Sequence, residues 1–236
     1  MKIERVLFWF RIGGENLPYL FDRFFGLSHL LGRILNEEYK GKKIKYINLY
    51  FYTKESFELF PHLEINAVHS HGGHINFYGL LKEEELSKLE TTEQKLYIWR
   101  MACLALEKCA ATLENKVLEA SIIIANKRGV QLGLNTDFKA ITHEFEMFGL
   151  VFCASIYFKF QEEVVSSWLI LEHKDRTIYE CEMSHASVGA EIFLEAYKSI
   201  KLEGESLIVS GRRDVLGGPL KFDVNDLISG LHLKKN

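Results

Sequence analysis

At residue 130 the hydrophobic period of this chain changes from helical to two, so the fold must combine a packed helix with a sheet. Upstream, Leu96, Trp99, Cys103, Leu106, Ala110, Leu113 and Val117 recur at spacings of three and four, which places them on one helix face. Thr91 and Gln94 have the spacing of a capping box, so the pattern predicts one long helix from there through "LEASIIIA" to Arg128-Gly129. Downstream, "VQLGLN", "KAITHEFEMF", "LVFCASIYFKF", "VVSSWLILE" and "TIYECEM" read as strands. The turns between them are too short for a crossover, so neighbouring strands are antiparallel. Leu150, Phe152, Ala154, Ile156, Phe158 and Phe160 form an unbroken apolar face, and the mixed opposite face predicts a sheet covered on one side and partly wet on the other.

The first ninety residues are mixed. "RVLFWFRI" predicts a strand stopped by Gly13-Gly14, and Asn16 with Pro18 opens a helix whose buried face is Leu20, Phe24, Leu27, Leu31 and Ile34. Residues 44–53, 63–71 and 74–80 read as strands, and "LKEEELSKLE" reads as a short helix. Near the far end, "GAEIFLEAYKSI" predicts a helix, "SLIVSG" and "PLKFDV" predict strands, and Asn225 caps a last helix, "DLISGL". The class is α+β, an antiparallel meander in the second half packed with a long amphipathic helix and a mixed α/β first half. The expected organisation is a single domain over 1–236, with any subdomain boundary near 128–130.

The formal charge is −3, without the basic surplus by which most nucleic-acid binders neutralise phosphates, so no nucleic-acid partner is expected. Cys103, Cys109, Cys153 and Cys181 lie far apart among apolar neighbours and read as buried free thiols of a reducing compartment. The start of the chain lacks the apolar core of a signal peptide, and "LPYLFDRFFGLSHLLGRIL" is broken by Asp22, Arg23, His29 and Arg33. A cytoplasmic protein with no membrane association is the expectation.

One stretch offers chemistry. In "HSHGGH" the glycine pair supplies the positive φ of a two-residue hairpin. That register sets His71 opposite His74 and His69 opposite Asn76, with all four side chains on one face. Three imidazoles there make His69, His71 and His74 candidate ligands of a zinc ion, the one cofactor the sequence suggests; otherwise none is expected. The spacing resembles the metallo-β-lactamase signature over six residues. Gly73, however, stands where that motif has an aspartate, and the following "INFYGL" reads as strand where the motif leads into a helix. A second candidate is "GRRDVLGGP", where Arg212 and Arg213 in a glycine-rich loop form a candidate anion cradle.

In profile, a slightly acidic, aromatic-rich α+β chain without a catalytic motif, this sequence resembles the immunity proteins that neutralise bacterial toxins. The resemblance implies a non-catalytic module that binds a partner protein, in keeping with the Tyr, Trp and Phe content favoured at interfaces. The alternative expectation is a zinc-dependent hydrolase in which bound water is activated on the His69/His71/His74 face.

Overall fold

The computed structural model describes residues 2–228, which divide after Thr136 into two compact units. In the first unit, β1 (Arg5–Ile12) turns through the short β2 (Glu15–Asn16) into α1 (Pro18–Glu38). Next come β3 (Tyr46–Tyr52), α2 (Lys54–Leu59), the hairpin β4 (Val68–His71) and β5 (His74–Leu80), then α3 (Glu83–Ser87), α4 (Thr91–Thr112) and α5 (Lys116–Gln131). The strand order is β2-β1-β3-β5-β4, with β1, β3 and β5 parallel and the two short outer strands antiparallel. Alternation along the three parallel strands divides their residues between two faces, with Leu7, Asn48 and Tyr52 buried on the face away from the helices. Val6, Phe8 and Phe10, then Ile47, Leu49 and Phe51, then Ile75 and Phe77 are buried with the apolar stripes of α1, α4 and α5. Burying side chains of this size is worth about 1.5–3 kcal/mol each, and this face holds the unit together.

The single long helix expected over 91–128 is two helices. Glu114 adopts a φ of 49° and Asn115 caps α5, its side chain accepting from the Leu118 backbone N–H at 3.0 Å. α4 starts on a capping box formed by Glu90 and Glu93, not Thr91 and Gln94. Gln94 is used elsewhere: it donates to the Leu86 and Leu89 carbonyls and accepts from Arg23. Nor does the chain turn at Arg128-Gly129. There the indole of Trp99 lies against Gly129, so α5 runs on to Gln131 and the expected strand 130–135 is helix end and turn. The boundary between units falls accordingly later, after Thr136.

His29, on α1, is the most perturbed imidazole. Burial, with the Arg33 guanidinium one turn on, pushes its pKa down to about 3. An imidazole near pH 6.5 in the unfolded chain binds its proton there first, so the contribution is complete above pH 6.5 and is lost as pH falls towards 3. The expected result is a loss of about 2 kcal/mol between pH 6.5 and 5, scaled from about 1.4 kcal/mol per unit. Denaturant titrations of wild type and His29→Gln across that range check it; equal slopes for both would remove His29 as the cause. Burial likewise pushes the thiols of Cys103 and Cys109 up to about 12, whereas Cys153 and Cys181 are only half-buried, and all four are free thiols.

The second unit is the expected meander, β6 (Phe138–Met147), β7 (Leu150–Phe160), β8 (Val164–His173) and β9 (Arg176–Ser187), paired in chain order. Its apolar face, with Phe145, Phe152, Ile156, Phe158, Leu169 and Leu171, packs with Phe193, Ile200, Leu207 and Val209. The predicted helix at 189–200 is only α6 (Glu191–Leu194), and the rest of that stretch is β10 (Tyr197–Glu203). β11 (Ser206–Gly211), α7 (Arg213–Leu216), β12 (Leu220–Asp223) and α8 (Val224–Ile228) follow, and β10-β11-β12 form a second antiparallel sheet. In β10, Tyr197 and Ile200 are core residues, and the Tyr197 hydroxyl lies 2.6 Å from that of Ser167. Asn225 lies inside α8 and its backbone N–H donates to Asp223; residues 229–231 of the expected last helix lie outside the described residues.

Candidate functional site

The helices cover one face of the first sheet. The opposite face is lined at one end by α2 and Phe60, where Phe57 packs near Tyr52 and Arg11 lies over the Phe60 ring. The parallel register stacks this face into rows. Arg5, Tyr46, His74 and His71 are cross-strand neighbours; so are Leu7, Asn48, Asn76 and His69; so are Trp9, Tyr50 and Tyr78; and so are Arg11, Tyr52 and Leu80.

The third row is a ladder of rings. Phe21 of α1 wraps the sheet edge and stacks on Trp9 at 5.1 Å and 23°. Trp9 stacks on Tyr50 at 6.4 Å and 18°, and Tyr50 on Tyr78 at 5.0 Å and 11°. His69 closes the ladder edge-on to Tyr78, at 5.7 Å and 83°. Parallel rings at these separations are offset-stacked, so their π faces are spent on one another and their edges point outward. Adjacent strands lie about 4.8 Å apart, which is what brings same-row rings into stacking range.

Beside the ladder runs a hydrogen-bond relay. The Trp9 indole N–H donates to Asn48 Oδ1 at 3.4 Å, and Asn48 Nδ2 donates to Asn76 Oδ1 at 2.9 Å. Asn48 is buried, so this bonding offsets the cost of burying its amide. Cations frame the face. Arg5 sits over Tyr46 at 5.5 Å, and Arg11 over Tyr52 at 5.2 Å while bonding Asn16 Oδ1. Burial raises the phenol pKa values of Tyr50 and Tyr52, and a hydrogen bond to Glu4 raises that of Tyr46, so all three keep their hydroxyl protons at neutral pH.

The hairpin under the histidines has the expected register, with His71 opposite His74 and His69 opposite Asn76. Gly72 and Gly73 both have positive φ, 58° and 86°, the signature of a type I′ turn. The imidazoles are engaged separately, His69 against Tyr78 and His74 against Tyr46 at 4.6 Å. Among the described residues, no group of three or more His, Cys, Asp or Glu side chains is placed to hold a metal ion. The double variant His69→Gln, His71→Gln is expected to stay within about 1 kcal/mol of wild type, as exposed polar changes usually do. Zinc should leave both melting temperatures unmoved. A saturable zinc-dependent rise in wild type that is absent from the variant would restore the zinc reading, since ion binding to the native state raises the melting temperature.

Arg212 and Arg213 line an open depression of about 610 Å³ in the second unit, with Tyr197, Lys198 and Asp214. The Arg212 guanidinium is already matched: it donates to Asp214 at 2.8 and 3.2 Å and lies 3.7 Å from Glu195. The same contact holds the Asp214 carboxyl below its usual range. An anion entering here would compete with the chain's own carboxylates.

Sequence reasoning found the hairpin but missed the face to which it belongs. The signal was present in "RVLFWFR", "YINLYFY" and "HINFYGL", where every second residue, Leu7 and Leu80 apart, is Arg, Trp, Tyr, Asn or His rather than aliphatic. Comparison with family models, with curated proteins and with solved structures gives no match. Among the described residues, no helix is long and apolar enough to cross a membrane.

Proposed function

We propose that this chain is a non-catalytic protein-binding module of the immunity type, which sequesters a partner protein such as a bacterial toxin on the open face of its first sheet. One observation carries the reading: a ring ladder across three strands, braced at one end by Phe21 and alongside by the Asn48–Asn76 relay. Tyrosine and tryptophan held in this way lose little side-chain freedom on docking, and aromatic anchors of this kind dominate interface energetics. The outward ring edges suit a protein surface better than a nucleic acid, because base stacking needs exposed π faces. The zinc-hydrolase reading has weaker geometric support, because it needs three imidazoles on one ion.

The test is photo-crosslinking in the source cells with benzoyl-phenylalanine in place of Tyr78, and in place of the exposed Lys108 as control. The expected result is a discrete protein adduct at position 78 that is absent at 108, with the captured protein toxic when expressed without this chain. Equal labelling at both positions, or an adduct to a harmless protein, would remove the immunity assignment.

A further inference from the structure

We infer that the surface docked on this face is acidic, a conclusion that rests on the docking reading above and adds the partner's chemistry to it. The chain as a whole is acidic, at −3, yet the strand positions of this face carry no carboxylate. They carry Arg5 and Arg11 on one side and His69, His71 and His74 on the other, with Lys45 leading into β3 beside the hairpin. Glu4, at the rim, accepts a hydrogen bond from the Tyr46 hydroxyl at 2.5 Å, and α2 at the Arg11 end carries Glu55 and Glu58, the latter paired with Lys54.

The hydrogen-bonding sense points the same way. The relay runs from Trp9 through Asn48 into Asn76 Oδ1, which leaves the Asn76 amide hydrogens for an incoming acceptor. The phenols of Tyr50 and Tyr52 are held protonated. A face of guanidinium, amide and hydroxyl donors is complementary to carboxylates and carbonyls, and like charge opposite it is strongly disfavoured. A basic partner, such as an enzyme built to grip nucleic acid, would meet Arg5 and Arg11 with its own cations. The occupant is therefore a protein surface rich in Asp and Glu.

The experiment is selection from a displayed random dodecapeptide library on the immobilised 236-residue chain, repeated on the Arg5→Gln, Arg11→Gln double variant. Peptides kept by wild type and lost by the variant are expected to hold about twice the Asp and Glu of the unselected library, as charge complementarity requires. Their affinity should fall about tenfold as salt rises to about 0.5 M. Variant-sensitive peptides that are neutral or basic would overturn the acidic partner while leaving the docking reading standing. Recovery of no peptide sensitive to either this variant or Tyr78→Ala would sink both. A fluorescent single-stranded oligonucleotide that binds wild type but not the double variant would mean that the anion is nucleic acid, which also overturns the proposal. Should the double variant lose its cooperative melt, the salt titration and the composition of wild-type peptides displaced by Tyr78→Ala decide alone.

Discussion

Leu106→Asp should abolish cooperative folding of the first unit. Leu106 is fully buried in the middle of the α4 stripe, among Ala102, Cys103, Cys109 and Ala110. The substitution removes an apolar side chain worth about 2–5 kcal/mol and leaves a carboxylate with no cation in that core. It escapes only by protonating or by breaking the helix–sheet interface. The total loss, above about 4 kcal/mol, is a large fraction of what a domain has to spare. Circular dichroism and denaturant melts check it: an unchanged midpoint would mean that the stripe faces water. Leu104, two residues earlier and exposed, gives the contrast, since Leu104→Asp should stay within about 1 kcal/mol.

Gly129→Ala should reverse the usual sign of its substitution. Within a helix, alanine is ordinarily favoured over glycine by about 1 kcal/mol. At Gly129 an added Cβ would lie 2.1 Å from Cζ2 and 2.6 Å from Cη2 of Trp99, whose ring is fully buried and whose indole N–H donates to Asn126. Neither partner can withdraw cheaply, so the expected outcome is a loss of about 2–3 kcal/mol, typical of an overpacked core. A double-mutant cycle with Trp99→Leu isolates the clash. In the Trp99→Leu background the alanine should cost nothing or stabilise slightly, and a penalty that persisted there would show that the cause lies elsewhere.

The same pair of residues shows what was legible in the sequence and what was not. The stripe on α4 and the period-two runs of β7 and β8 are local patterns, and each corresponds to an element in the structure. The parallel pairing of β1 with β3, and of β3 with β5, joins segments separated by a 21-residue helix and by α2 with β4, and no local period encodes such a partner. Gly129 looked like a helix stop because glycine usually is one. A tryptophan thirty residues earlier gives it a different purpose. The α4–α5 break was legible in principle: Asn115 is a strong capping residue, but the apolar spacing running through it hid the signal. At the candidate site, the histidine register followed from the turn alone, whereas the ladder required knowing which strands are neighbours.

The first core draws on residues from Ile3 to Leu134, and its central sheet is assembled from strands distant in the chain. Such non-local pairings incur their loop-closure entropy before any contact rewards it, so this unit should fold slowly for its size. The second unit pairs each meander strand with its immediate successor and has no such delay at that step. During synthesis, then, α1 can cover the apolar face of β1 as soon as it emerges, but the strand's parallel edge must wait for β3. Over that interval "RVLFWFRI" is an exposed strand edge, and expression yield is expected to depend on chaperone supply more than on the stability of the finished protein.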